Sequence, residues 1–487
     1  MEKENKDYRN HKSFNLLKEI AVVIIIFFII LIPFVKKLEL HSLHRDENYW
    51  LRSTKCFKLF FIDKDLNNNQ WKKHKIEPIG KYIIGLALYI AGHGDRIDEL
   101  SRMKRWNFRK DYSWNLAHGS VPPKEILYIA RLTMALFGSL TCMLIYWIGR
   151  MIFCVKAGII ASLLLAYNPL MWFCSRRAMT DAPLLFFLTA NIILVIYFYQ
   201  SLLKQNLLRT FVFAVLIGIN IALATGTKLN GGLAGLIFTS FCIFVVVIKS
   251  GKYKLSKGNL RKSITEFIID REIKTVVISL LISGVIATLV FVIMNPSLYH
   301  QPLKGSLSMI KFRTSEVSSQ QKNVNPKKVL IDSLSTKVDF VVRRTFFLDL
   351  LDSLSKKVDL VARRTFFTGR YVILANILKI SIDLGLFLLG CVMFFLFLLG
   401  LIMLLYHEVK YLIRNSKPSS RSIIIIWTVI TFIGITIWIP FDWSRYYLPV
   451  IPCIVIVIGF CLDTLIEKSL FLLKRFNFLR TYRFSSK

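Results

Sequence analysis

The sequence predicts an all-α, polytopic membrane protein, and three observations carry that prediction. Of 487 residues, 54% are hydrophobic, and the mean hydropathy is positive. The apolar residues are gathered in blocks of about 18 or more, the length that crosses a hydrocarbon core as a helix. The blocks do not alternate with period two, which argues against a closed barrel, the other structure that satisfies its backbone in lipid.

Ten candidate spans follow in order, at roughly 17–38, 125–150, 157–174, 182–200, 211–227, 231–249, 275–294, 376–405, 422–440 and 447–465. A basic leader precedes the first, as in a signal sequence, but no small-x-small cleavage site follows, so it reads as a retained span. Short cytoplasmic loops carry the excess of Lys and Arg. The N-terminal tail, the loops 150–156, 204–209, 249–274 and 407–421, and the tail 468–487 form one basic set, which assigns them to the cytoplasm. They account for much of the net charge of +35 without calling on nucleic acid.

The opposite set holds two long loops, 39–124 and 295–375, which escape the charge rule and are long enough to expect a function. The chain thus divides into an N-terminal transmembrane module, 1–294, the loop 295–375, and C-terminal helices with a basic tail, 376–487. In the first loop, 79–91 is apolar but too short to span, and predicts a helix at the interface. In the second, LIDSLSTKVDFVVRRTFF from Leu330 is repeated as LLDSLSKKVDLVARRTFF from Leu350. A solenoid needs about three units, so two copies read as a tandem duplication forming an amphipathic surface element.

The eight cysteines show no Cys-x-x-Cys pairing, and most lie inside apolar blocks as small core residues. Cys56 and Cys174 are the two placed outside, where a disulfide is chemically open to them.

Unusual polar groups collect on the non-cytoplasmic face. Asp46 and Glu47 sit in HRDENYW after the first span, and Glu77 and Lys81 in KIEPIGKY, with Pro78 suited to a first helical turn. Arg176, Arg177 and Asp181 fill the turn SRRAMTDAP, Lys228 and Asn230 the break TGTKLNGG. His300 follows the seventh span, and Arg445, Tyr446 and Tyr447 lie in PFDWSRYYLP. Singly, Lys, Arg and Tyr at span ends serve as interface anchors. Acids near the membrane plane are costly and are usually paired or functional.

Carboxylates and cations at a bilayer surface suit an anionic, lipid-linked substrate. A carboxylate takes the proton from an acceptor hydroxyl, the oxygen attacks a sugar carbon, and Lys and Arg stabilise the departing lipid phosphate. His41, His44, His74, His93, His118 and His300 are scattered without ligand spacing, so no metal is assigned; a divalent ion remains open.

In order, the Asp-Glu pair, EPIGKYIIGLALYIAG, ARLTMALFGSLTCMLIYWIGR, NPLMWFCSRRAMTDAPLLFF and TKLNGG resemble the protein O-mannosyltransferase and aminoarabinose transferase superfamily. These are GT-C class membrane glycosyltransferases that use a polyprenyl-phosphate sugar donor. The similarity covers about 20–310, with an echo in RYYLPVIP. It implies a GT-C-like bundle of about ten to twelve transmembrane helices with interfacial helices in the first external loop.

Residue by residue, the resemblance implies Asp46 as catalytic base, with Glu47 and Asp181 as further acidic positions. Lys81, in the pattern of Pro78 and Gly80, is implied at the donor phosphate, and Arg176, Arg177, Lys228 and Arg445 are placed there with it. Glu77, Asn230, His300 and Tyr446 are further substrate contacts. Glu77-Pro78-Ile79 stands where mannosyltransferases often have His-Pro-Pro, and the large soluble domain of the eukaryotic enzymes is not seen in a later loop.

The expected function is transfer of a sugar from a polyprenyl phosphate to a protein, lipid or glycan hydroxyl, on the extracytoplasmic side of a prokaryotic inner membrane. The alternative is a flippase or transporter of lipid-linked sugars, which would call for ionisable groups near the midplane and repeated halves.

Overall fold

Helices end in this chain where a side chain or a backbone break forces them to. In the computed structural model, which describes residues 21–73, 77–250, 270–323, 334–346, 370–438 and 444–485, the described residues form helices and turns without a strand. Among the described residues, seven helices are long and apolar enough to cross a membrane, or eight if one bent pair is a single span. Three shorter apolar helices, Ala21–Val35, Ile79–Ile90 and Arg421–Ile437, accompany them. Two of these three fall on the expected spans 17–38 and 422–440, as far as the described residues run.

The chain divides into two compact units, one of Met1–Ile148 with Ser162–Ser319, the other of Gly149–Ala161 with Gln320–Lys487. In the first unit the helices run α1 (Ala21–Val35), α2 (Arg45–Arg52), α3 (Lys55–Phe57), α4 (Asn69–Lys73), α5 (Ile79–Ile90), α6 (Arg96–Arg102) and α7 (Tyr112–Ala117). They continue as α8 (Lys124–Ile152), α9 (Val155–Ala166), α10 (Pro169–Ser175), α11 (Asp181–Leu203), α12 (Leu207–Thr227), α13 (Leu233–Ser250) and α14 (Arg271–Ile293), with α8 from Gly149 and α9 up to Ala161 assigned to the second unit.

The expected span 157–174 is bent by 65° between α9 and α10. Asn168 causes the break: its side-chain oxygen accepts from the backbone N–H of Leu170 at 3.0 Å and Met171 at 3.2 Å, and Pro169 opens the new helix. The break at TKLNGG is equally local. Lys228 is extended (φ −155, ψ 147), and a Cβ on Gly231 would lie 2.1 Å from the carbonyl oxygen of Ala224, so only glycine fits.

Polar residues inside the spans fasten neighbours. Asn191 donates to Ala234 O at 3.0 Å, and Asn220 to Phe187 O at 2.9 Å. A core of Trp50, Leu51, Ile84, Leu88, Leu100, Ile126, Ala130, Met134 and Met179 holds α2 against α5, α6, α8 and the turn before α11. Each larger side chain buried there contributes roughly 1.5–3 kcal/mol. α5 leaves Leu86, Tyr89 and Ile90 exposed at its far end, as an interfacial helix should.

In the second unit, buried Glu408 accepts from the backbone N–H of Ser419 at 2.9 Å and from the hydroxyls of Ser419 and Ser422, tying the turn between the helices Leu388–Asn415 and Arg421–Ile437. Cys154 donates to Asp463 at 3.0 Å. The helix Leu334–Thr345 carries much of the first repeat copy; it buries Val341 and exposes Val338, and Phe346 just after it is also buried, so it is amphipathic. The second copy lies outside the described residues, as does His74. No cysteine is in a disulfide, and Cys56 and Cys174 are both buried, so the pairing open to them on sequence is not made.

Candidate active site

The first turn of α2 places its two carboxylates in different surroundings. His44 caps the helix: its Nδ1 accepts from Asp46 N at 3.2 Å, while Glu47 reaches back to accept from His44 N at 2.7 Å. Glu47 then points into the protein with no exposed surface, and Asp46 keeps 28% of its side chain exposed.

Glu47 is met by Arg131 of α8 in a bidentate pair, Nε to Oε1 and Nη2 to Oε2, both at 2.8 Å. Ala178 N donates to Oε1 at 2.8 Å. Arg131 also donates from Nη1 to Leu38 O at 2.8 Å and His41 O at 2.9 Å, and from Nη2 to Ser42 O at 3.2 Å. All its N–H groups are thereby used. The pair locks the α1–α2 linker, α2, α8 and the 175–181 turn together. Sequence reading missed Arg131; its one signal was a cation inside an apolar block.

The turn before α11 is unlike this. Asp181 is 4% exposed; its Oδ1 accepts from Lys228 Nζ at 2.5 Å, and its Oδ2 is buried with no hydrogen-bond partner. Thr180 Oγ1 and Ser175 Oγ are buried and unpartnered too, as are Nε and Nη1 of Arg177. The Arg177 guanidinium lies 3.6 Å from the centre of the Phe173 ring. Burial, then Arg131 among its neighbours, lowers its pKa; as a guanidinium it stays charged. A buried polar group left unpaired costs about 1–3 kcal/mol, so several in one turn mark a place where a ligand completes the bonding.

Arg176 is held otherwise. It stacks over Trp172 at 4.1 Å and donates to the carbonyls of Pro33 (3.1 Å), Lys36 (2.7 Å) and Lys37 (3.3 Å), capping the end of α1. His41, beside both arginines, is held below its ordinary pKa by burial, then by Arg176, Arg177 and Arg131.

The start of α5 is wedged between these parts. A Cβ on Gly80 would lie 2.0 Å from Thr180 Cγ2, so glycine is what lets α5 reach the turn. Glu77 accepts from Leu229 N at 2.9 Å, next to Lys228. Lys81 is fully buried. Contacts therefore connect Glu47, Glu77, Asp181 and Lys228 through α5 and the turn before α11.

Asn230 is half-buried in the short 3-10 turn Leu229–Gly232, and His300 is exposed. Arg445 and Tyr446 belong to the second unit, with the Arg445 guanidinium 5.8 Å from the Tyr446 ring centre. Among the described residues no three His, Cys, Asp or Glu side chains converge, so they present no metal-ligand set.

Residues 66–299 match the profile of a family described as dolichyl-phosphate-mannose-protein mannosyltransferase. An oligosaccharyltransferase from Archaeoglobus fulgidus, in complex with Zn and sulfate, superposes with a TM-score of 0.51 at 15% identity, over 92% of this chain and 50% of that one. The chain has the GT-C membrane fold. The sequence resemblance to GT-C enzymes is borne out. AglB from the same organism, in complex with an inhibitory peptide and a dolichol-phosphate, shares the GT-C fold with a TM-score of 0.51 at 13% identity, over 95% of this chain and 52% of that one. ArnT from Cupriavidus metallidurans, bound to undecaprenyl phosphate, gives a TM-score of 0.43 at 14% identity, over 93% of this chain and 60% of that one. The chain thus spans about half the length of the oligosaccharyltransferases it matches. No protein of curated function matches it significantly in sequence.

Proposed function

We propose that this protein is an integral membrane glycosyltransferase that moves one sugar from a polyprenyl phosphate to an acceptor hydroxyl on the extracytoplasmic side. One observation carries the reading: Asp46, partly exposed, adjoins Glu47, which is bonded to Ala178 N in the turn where Arg177 and Asp181 keep buried, unpartnered polar atoms and Asp181 meets Lys228. The GT-C fold and the mannosyltransferase match support it, as does the lipid phosphate that accompanies AglB.

Asp46 takes the proton of the acceptor hydroxyl as the oxygen attacks the anomeric carbon. The bond from that carbon to the phosphate oxygen breaks, the glycosidic bond forms, and the lipid phosphate leaves with the electron pair. Arg177, Lys81 and Lys228 stabilise the phosphate charge. Asp181 Oδ2 accepts from the sugar, and Asn230 and Glu77 shape the same turn. Glu47 and Arg176 position the parts. Arg445, Tyr446 and His300 are further substrate contacts in this reading, and the membrane is the inner membrane of a prokaryote.

Purified protein in nanodiscs is incubated with a panel of labelled polyprenyl-phosphate sugars and candidate acceptors. Transfer or hydrolytic release of one label is expected. Movement of intact donor across vesicles, with no label released from any donor, would replace the reading with a transporter.

A further inference from the structure

The loop 104–120 is closed and rigid. Lys104 N donates to Gly119 O at 3.2 Å, and Ser120 Oγ to Arg105 O at 3.1 Å. Buried Asn115 fills its interior, donating to Asn107 O (3.1 Å) and Asp111 O (2.8 Å) and accepting from Asn107 N at 2.8 Å. Asn48 fastens the loop to the catalytic helix: its Nδ2 donates to Lys104 O at 3.1 Å and Ser120 O at 2.6 Å. Asn48 is two residues from Asp46.

What the loop presents is cationic and aromatic. Lys104, Arg105, Arg109 and Lys110 are exposed, against a single carboxylate, Asp111, which caps α7 through Trp114 N. Phe108 is 66% and Tyr112 50% exposed. Arg45, the neighbour of Asp46, is exposed with its guanidinium 5.3 Å from the centre of the Phe108 ring, so the patch runs onto the first turn of α2. Among the described residues, none of these five cations has a carboxylate partner. Burial, and next Arg105, hold the pKa of Arg52 down on the same helix.

We propose that this patch, Arg45 with Lys104, Arg105, Phe108, Arg109, Lys110 and Tyr112, is the acceptor-docking surface, and that the acceptor is an anionic saccharide chain. The proposal rests on the glycosyltransferase reading. The donor phosphate already has Arg177, Lys81 and Lys228, so a second cationic patch at the base serves the other substrate. Exposed aromatic faces stack on sugar rings while guanidinium groups pair with phosphate, sulfate or carboxylate substituents. A preformed loop binds without a large ordering cost.

Binding is measured without donor, on protein in neutral-lipid nanodiscs, by anisotropy of labelled dextran sulfate, neutral dextran and poly-glutamate. Dextran sulfate is expected to bind, more weakly as salt rises, and neutral dextran not to bind. The triple variant Arg105→Ala, Arg109→Ala, Lys110→Ala should weaken binding at least tenfold with an unchanged unfolding temperature. Phe108→Ala with Tyr112→Ala should weaken it several-fold. Undiminished binding by the triple variant overturns the proposal, as does poly-glutamate binding as tightly as dextran sulfate, which points to an acidic polypeptide. Association that appears only in nanodiscs of anionic lipid also overturns it and makes the patch a membrane anchor. None of these outcomes depends on turnover, so the glycosyltransferase reading stands or falls separately.

Discussion

Arg131 and Arg177 are both buried, and both feel the charge of Glu47, but their hydrogen bonding is opposite. Arg131 uses all its N–H groups on Glu47 and on three carbonyls of the α1–α2 linker. Arg177 keeps Nε and Nη1 unpartnered and rests on the Phe173 ring. A saturated cation in a low-dielectric interior has nothing left to offer a ligand and acts as a fastener. An unsaturated one stores an unfavourable state that an incoming anion relieves. A difference of exposure separates Glu47, fully enclosed, from Asp46 beside it, which retains exposed surface.

The largest effect on stability should come from breaking the saturated pair. Arg131→Met leaves Glu47 charged and buried, which costs about 3–5 kcal/mol. Thermal unfolding in nanodiscs checks it, and Arg131→Lys should rescue little because an ammonium cannot make the planar bidentate pair. An Arg131→Met protein as stable as wild type would mean that the pair is no fastener.

Next is Gly80→Ala, whose Cβ collides with Thr180 Cγ2; overpacking of this kind costs about 1–3 kcal/mol. Adding Thr180→Ser removes that methyl and should recover part of the loss. If it recovers none, α5 is not wedged against the turn in the way described.

Arg177→Ala should barely move the unfolding temperature, since few bonds are lost. It should weaken donor binding about tenfold, equivalent to about 1.4 kcal/mol. Isothermal titration with a polyprenyl phosphate reads this directly, and a large fall in stability with unchanged donor affinity would put Arg177 with Arg131.

The smallest effect is a pH dependence. The pKa of His41 in the folded protein lies below its unfolded value of about 6.5, so the unfolded chain protonates first. Stability is therefore unaffected above that value, falls as pH drops through it, and levels off below the folded pKa. His41→Gln should flatten unfolding curves over this window; an unchanged pH profile would show that His41 does not titrate differently on folding.

Much of the fold was legible because long apolar blocks mean helices in lipid, and the ordered turns offered Asp46, Lys81, Asp181 and Lys228 as candidates, of which Asp181 and Lys228 meet. The bend at Asn168 was written in Asn-Pro, a cap followed by a first-turn proline, but read as part of one apolar block. Other features were not legible for physical reasons. Arg176 and Arg177 are chemically identical neighbours, and only the end of α1, more than 130 residues away in sequence, decides which one is engaged. Arg131 meets Glu47 across 84 residues, and no local pattern encodes that meeting. Nor does anything local in HRDENYW show that Asn48 clamps a loop more than 50 residues on.

The most direct test of the account is the transfer rate per folded molecule of Asp46→Asn. A general base contributes roughly 10²–10⁴-fold, so the account predicts a loss of that order with an unchanged unfolding temperature. Turnover by this variant at the wild-type rate would contradict it.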